Sequence, residues 1–476
     1  MSIDAASDSG NSDSGENTNT SSSTKSTVMH ARLVVAAWLC SDIASLFGTA
    51  LSSLAVPWMV LNLTHNTAAT GVVSAIQLGA LVAANLVSGP LIDKLGPTRV
   101  SIFCDYTSAC FIALIPILWA VDLFSIPALI VIVAVVGALR GPANSSKSVL
   151  SPSVAQFSKQ PMERITGLSG TTERLASAIG SAAGGVIIGF VGGPYALAFT
   201  SLGLIVGATL IAVIVRPALR QMSDPAVSDT KSRDSASDHQ VGTAKHHLAE
   251  HRNAPLRSRT SAYFADLKTG WKALIALPTV MGLTLIPAVT NMIDIAWTDV
   301  LTPAWVLSQH LGSQTLGLLF ASLTFPAMIS SLIATIFASR LPRFPVFVIG
   351  YLVVGAPRYL AMAFNAPTTV VIATLIVGGI GSGFLNPILG AIIYERIPKK
   401  SRGKIISLTG AISWGLMPLG SLLGGFMSHL IGLNITLGIL GIAYLIITMV
   451  PLFVPTLRHF ERVQPETSQQ PEISGQ

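Results

Sequence analysis

The sequence predicts an all-α membrane protein of twelve transmembrane helices arranged as two pseudo-symmetric six-helix bundles, and three observations lead there. Of 476 residues, 51% are hydrophobic and only 11% charged, against roughly 25% charged in a soluble domain. Apolar runs long enough to cross a bilayer, about 20 residues each, recur twelve times. Glycine, proline and asparagine positions repeat between the halves of the chain at offsets of 240 to 246.

Residues 1–32 are nearly all polar up to about residue 30 and cannot offset their ordering entropy. They are expected to be a disordered tail, with no signal peptide before the first span and with Met29 as an alternative start. The first six runs fall at 33–62, 69–92, 99–121, 126–148, 165–190 and 194–216. A polar insert at 217–272 is expected to be a linker. It contains His239, His246, His247 and His251, which read as solvated side chains of a flexible segment rather than a metal site. The second six runs fall at 273–306, 315–338, 344–364, 368–394, 405–430 and 434–456, followed by a tail at 457–476. Cys40, Cys104 and Cys110 lie inside apolar runs, spaced for neither a metal nor a disulfide framework.

Net charge is +7, and its distribution matters more than its size. The connections near 63–68, 122–125, 191–194, 307–314, 365–367 and 431–433 carry no Lys or Arg. The opposite ones carry Lys94, Arg99, Lys159, Arg164, Arg340, Arg343, Arg396, Lys399, Lys400, Arg402 and Lys404. By the positive-inside rule, both termini, the insert and these loops face the cytoplasm of a multi-pass plasma-membrane protein.

The repeat is specific. Gly180-Ser-Ala-Ala-Gly-Gly185 followed by Gly192 returns as Gly420-Ser-Leu-Leu-Gly-Gly425 followed by Gly432, at an offset of 240. Pro57 and Gly71 correspond to Pro303 and Gly317 at 246, and Gly137 and Asn144 to Gly379 and Asn386 at 242. Gly180, Gly184, Gly185, Gly420, Gly424 and Gly425 are small-residue positions that permit close helix contact.

Between the second and third runs stands Gly89-Pro-Leu91-Ile-Asp93-Lys94-Leu-Gly96-Pro-Thr-Arg99. This spacing resembles the loop after the second helix of the major facilitator superfamily, roughly Gly-x-Leu-x-Asp-Arg/Lys-x-Gly-x-Arg/Lys, with every position filled. Gly89 is expected to let another helix approach, and Gly96 to permit the tight turn. The resemblance, over about residues 33–456, implies two parallel halves with a substrate cavity between them. It also implies a gating role for Gly89, Leu91, Asp93, Lys94, Gly96 and Arg99, with Asp93 as a latch near the N-terminus of the eleventh helix. At offset 246, Ser339-Arg340-Leu341-Pro342 forms a degenerate second copy without the aspartate. Tyr394-Glu395-Arg396-Ile397-Pro398, Arg402-Gly403-Lys404 and the stretch around Pro152 resemble the drug and siderophore exporter branch, including macrolide efflux proteins. The 180–185 element resembles the Gly-Pro-x-x-Gly-Gly of drug antiporters, with Ser181 where proline is usual.

Ionisable residues at mid-membrane depth are costly and so are candidates for function. Asp42 stands about nine residues, or roughly 14 Å, from the cytoplasmic end of the first span, on a stripe with Ser45, Thr49 and Ser52. The seventh span, its repeat partner, carries Asp294 with Asn291 and Thr298 on one face, and Asp299 off that face toward the outer side. Arg140 in the fourth span is expected to pair with Asp42, either for coupling or as a structural pair fixing helix register, and Arg358 in the ninth to pair with a carboxylate not specified. Asp105, Glu173, Arg174 and Glu395 lie close to the cytoplasmic ends, where they snorkel or form gate salt bridges. Trp58, Trp297, Trp305, Phe320 and Phe325 supply packing or cavity surface.

No Gly-x-x-x-x-Gly-Lys-Ser/Thr loop is present, so energy is expected from a proton gradient rather than ATP, with no cofactor. No paired acid and base, zinc-ligand spacing or nucleophile motif points to an enzyme. The expectation is a monomeric secondary transporter exporting a hydrophobic or amphipathic small molecule by proton-coupled alternating access. Asp42 is its leading protonation site and Asp294 its second. An uptake transporter for a sugar or small organic ion is the near alternative, and a non-transporting receptor or scaffold the alternative of another class.

Overall fold

The computed structural model describes residues 17–221, 269, 271–337, 342–397 and 402–457. Among these residues, twelve helices are long and apolar enough to cross a bilayer. The first six are α1 (Ala31–Thr64), α2 (Thr67–Leu95), α3 (Pro97–Ala120), α4 (Ile126–Ser158), α5 (Arg164–Val191) and α6 (Gly193–Arg220). The second six are α7 (Pro278–Ser308), α8 (Ser313–Ala334), α9 (Arg343–Ala363), α10 (Thr368–Gly390), α11 (Ile405–Ile431) and α12 (Leu433–Phe453). No strand occurs among the described residues. The helix containing α1 begins at Asn17, so helical structure reaches into the segment expected to be a disordered tail. The four insert histidines, Arg340, Lys399 and Lys400 lie outside the described residues.

Helix ends have local causes. Asn66 caps α2, its side-chain oxygen accepting from the Ala68 and Ala69 N–H groups at 2.8 and 3.2 Å. Gly192 and Gly432, with φ of 83° and 91°, end α5 and α11 and open the next helices within one residue. These are repeat mates, and the conformation is one that L side chains disfavour. Because α1 and α12 bound an even number of spans, both termini emerge on one face, called here the terminal face, opposite the far face.

Symmetry governs how the halves meet. α2 packs on α11, and α5 on α8. A Cβ on Gly425 of α11 would stand 3.0 Å from the Gly71 Cα of α2, and one on Gly185 of α5 would collide with the Gly317 backbone of α8. Each contact therefore joins a glycine to the repeat mate of the other contact's glycine. The remaining small residues act within a half: Gly180 and Gly184 seat α5 on Phe47, Ala50, Leu51 and Leu54 of α1, and Gly420 and Gly424 seat α11 on Met292 and Ala296 of α7.

Both seams lie toward the far face. Toward the terminal face, Gly89 of α2, Gly167 and Gly170 of α5, and Gly410 and Gly415 of α11 have no atom within 4 Å of where a Cβ would stand. The halves are joined at the far face and part toward the terminal face, leaving a cleft. No helix approaches Gly89 in this arrangement, unlike the close contact expected of it, because the terminal end of α2 stands clear of α11. Leucine at Gly185 is expected to cost about 1–3 kcal/mol through overpacking and to lower the thermal unfolding midpoint. Leucine at Gly438, which has open space around it, is expected to be silent. Equal midpoints for the two variants would remove the seam argument.

Candidate functional site

On the wall formed by the first half, α1 and α4 face each other through matched polar registers. Asp42, Ser45 and Thr49 follow one face of α1, and Arg140 and Lys147, seven residues apart, follow one face of α4. Arg140 is buried and does not pair with Asp42. Its guanidinium donates to the Ser45 carbonyl at 3.3 Å and to the Thr49 hydroxyl. The reason is register: Asp42 sits a turn nearer the terminal face than Ser45, at the level of Lys147. Lys147 of α4, Glu173 of α5 and Asp105 of α3 are close enough to act electrostatically on Asp42, and Ser169 of α5 lies beside it.

Lys147 makes the closest ion pair of this wall, with its ammonium 2.9 Å from Asp105 of α3 and side chains 6% and 3% exposed. On the same two helices the hydroxyls of Ser101, Ser108 and Ser146 are buried without a hydrogen-bond partner, as is the indole N–H of Trp38 on α1. Asp105 is thus a deeply buried group and not a snorkelling one. The corresponding helices of the second half, α9 and the continuation of α10 to Arg396, are tied with reversed polarity. There Arg343 donates to both Glu395 oxygens at 2.7 Å.

On the opposite wall, Asp294 of α7 is paired with Arg358 of α9. This supplies the partner that Arg358 lacked in the sequence reading. Arg358 is 3% exposed, whereas the Asp294 side chain keeps 33% of its surface. The guanidinium carbon lies 4.4 Å from the Trp297 ring centroid and 5.1 Å from that of Tyr359, a stacking that helps hold a desolvated cation. Tyr359 donates to the Ile293 carbonyl at 3.0 Å and stands 3.4 Å from Asp294. α9 breaks at Gly355, between Arg343–Val354 and Ala356–Ala363, which sets the direction of Arg358.

The other expected residues are held by hydrogen bonds within and between helices. Asn291 donates to the Ser413 carbonyl of α11 at 3.2 Å, and Thr298 to the Asp294 carbonyl of its own helix at 2.8 Å. Asp299 lies on a π turn, Trp297–Leu301, and accepts from Ser421 of α11 at 3.1 Å. Among the gating positions, Leu91, Asp93, Lys94 and Arg99 are exposed on the terminal face. Among the described residues Asp93 makes no ion pair or side-chain hydrogen bond. Gly96 makes the turn with φ of 82°. Sequence reasoning missed Lys147, Tyr359 and Ser421. Lys147 had a readable signal in its seven-residue spacing from Arg140. Among the described residues no three His, Cys, Asp or Glu side chains gather as a metal site.

The arrangement is a polar-walled cleft with one half-buried carboxyl on each side, Asp42 and Asp294, closed at one face. The family model described as Major Facilitator Superfamily matches residues 38–296 and 288–474. A protein named Multidrug efflux pump Tap from Mycolicibacterium fortuitum is 22% identical over 419 residues, covering 87% of this chain and 94% of that protein. Its namesake from Mycobacterium tuberculosis is 24% identical over 417 residues, covering 87% and 91%. Among solved structures, a peptide transporter POT in complex with sulfate superposes with a TM-score of 0.65 at 11% identity, covering 90% of this chain and 96% of the other. A D-xylose-proton symporter gives 0.62 at 13%, covering 90% and 99%.

Proposed function

The chain belongs to the Major Facilitator Superfamily, and on that premise we propose that it exports a hydrophobic or amphipathic small molecule across the plasma membrane in exchange for protons. The observation that carries this reading is Asp294, whose side chain keeps 33% of its surface while paired with a buried arginine, in the half opposite the wall that bears Asp42. The name of the efflux-pump relatives supports export of drug-like molecules. The distribution of Lys and Arg supports a cytoplasmic terminal face, so the cleft opens to the cytoplasm, the side from which an exporter loads. The boundaries that follow are bundles at 33–216 and 273–456, a cytoplasmic linker at 217–272 and cytoplasmic tails, in a protein that works as a monomer.

The mechanism needs only charge competition. A carboxyl that is ionised holds its cation; one that binds a proton, or that turns to a cationic substrate, releases it. In the cytoplasm-open form, substrate enters and displaces the proton. In the outward-open form, a proton from outside displaces substrate. With the halves parted on the cytoplasmic side, Asp93 stands free, and closing that side brings it to the N-terminal end of α11, where the helix dipole favours a carboxylate.

The test is efflux of a fluorescent lipophilic cation from cells at matched membrane abundance. Wild type is expected to extrude dye until an uncoupler collapses the proton gradient, and Asp42→Asn to lose active efflux. Efflux that survives the uncoupler would remove proton coupling, and full efflux by Asp42→Asn would reduce Asp42 to a structural residue.

A further inference from the structure

Asp299 has no part in the cleft. It is 7% exposed, on the π turn of α7, in a region packed against α11, α2 and α1. Among the described residues its hydrogen-bond partner is the Ser421 hydroxyl, at 3.1 Å, and it forms no ion pair there. The ionisable groups on the packed helices are few. They are Asp294 on α7, Arg32, Cys40 and Asp42 toward the terminal end of α1, Asp93 and Lys94 at the terminal end of α2, and His429 at the exposed far end of α11. Two further polar atoms in this region, the Thr302 hydroxyl and the Trp297 indole N–H, are buried without partners.

Ser421 has a second neighbour. Its backbone carbonyl is the atom that a Cβ on Gly71 of α2 would strike, and one turn on, the Thr67 hydroxyl of α2 donates to the Gly425 carbonyl at 3.2 Å. One residue thus joins the Asp299 carboxyl to the α2–α11 seam, which must part if the far face is to open. We infer that Asp299 is a proton-binding site of this seam, filled from the outside before the seam closes and emptied when it reopens, so that external acid favours the cytoplasm-open form. The inference rests on the alternating-access part of the proposed function, and it assigns Asp299 a proton that gates rather than one that is carried.

The chemistry is a linkage. A carboxylate withdrawn from water with one neutral donor and no counter-ion is costly, whereas the neutral acid fits a dry seam and gains a donor of its own. Parting α2 from α11 admits water and rewards the charged form. Proton binding and seam closure therefore favour each other, each by the same factor.

The experiment measures the distance between nitroxides at Leu123→Cys and Leu430→Cys, both exposed at the far face. It uses full-length protein in lipid nanodiscs on a background lacking Cys40, Cys104 and Cys110, from acidic to alkaline pH. Wild type is expected to show a shorter far-face distance as pH falls. Asp299→Asn is expected to hold the short distance at every pH, and Asp299→Glu to keep a pH profile. Ser421→Ala, which removes the donor to the ionised form, is expected to move the profile to more alkaline pH, and it serves as the test if the Asp299 variants fail to fold. A wild-type distance independent of pH, an Asp299→Asn profile like that of wild type, or an unmoved Ser421→Ala profile would each overturn the inference. A pH-dependent seam in a protein that extrudes nothing would remove the export reading and leave this one standing.

Discussion

Asp294→Asn is expected to reduce active efflux to background while the protein still reaches the membrane, and to cost about 3 kcal/mol of stability, since it leaves a buried cation uncompensated. Arg358 is the more desolvated partner, at 3% exposure. The stack on Trp297 and Tyr359 offsets only part of the lost charge. The double variant Asp294→Asn with Arg358→Gln separates the two consequences, because it removes both charges and relieves the orphaned cation. Recovery of the unfolding midpoint without recovery of efflux is the expected outcome and marks Asp294 as a coupling group. Recovery of both would make the pair a structural tie between α7 and α9.

That pair also shows what a sequence can and cannot disclose. Asp294 and Arg358 were each readable, because a bilayer makes isolated charges expensive wherever they stand. Their pairing was not, since the direction of Arg358 depends on the break at Gly355, which hydropathy does not register. The twelve spans and the glycine repeat were readable for the same reason that they work. Apolar length and small-residue spacing act locally, and Gly185 and Gly425, in the small-residue runs of the fifth and eleventh spans, make close contacts with Gly317 and Gly71. The Arg140 assignment failed on a quantity that no single helix carries, the axial register of α1 against α4. Asp299 lies off the Asp294 stripe, against Ser421 of α11, and the π turn through it was not legible in the spacing. Lys147 fell near the expected end of the fourth run at 148, whereas α4 continues to Ser158 and buries it.

Lys147 leads to the second large effect. Its ammonium pairs with Asp105 and also acts on Asp42, so one cation serves two carboxylates. Lys147→Met is expected to lower stability by about 3–5 kcal/mol, the range for breaking a buried pair by removing one partner. Asp105→Asn is expected to cost less, because Lys147 then keeps Asp42. Replacing both members by apolar residues, Lys147→Met with Asp105→Leu, is expected to recover most of the loss, as buried pairs contribute little net stability once their desolvation is counted. Thermal unfolding of the purified proteins in one detergent orders the three variants against wild type. If Lys147→Met and Asp105→Asn fall equally, Lys147 serves Asp105 alone. If the double variant is stable yet inactive in dye efflux, the positive charge beside Asp42 is needed for transport itself, because stability has then been restored without it.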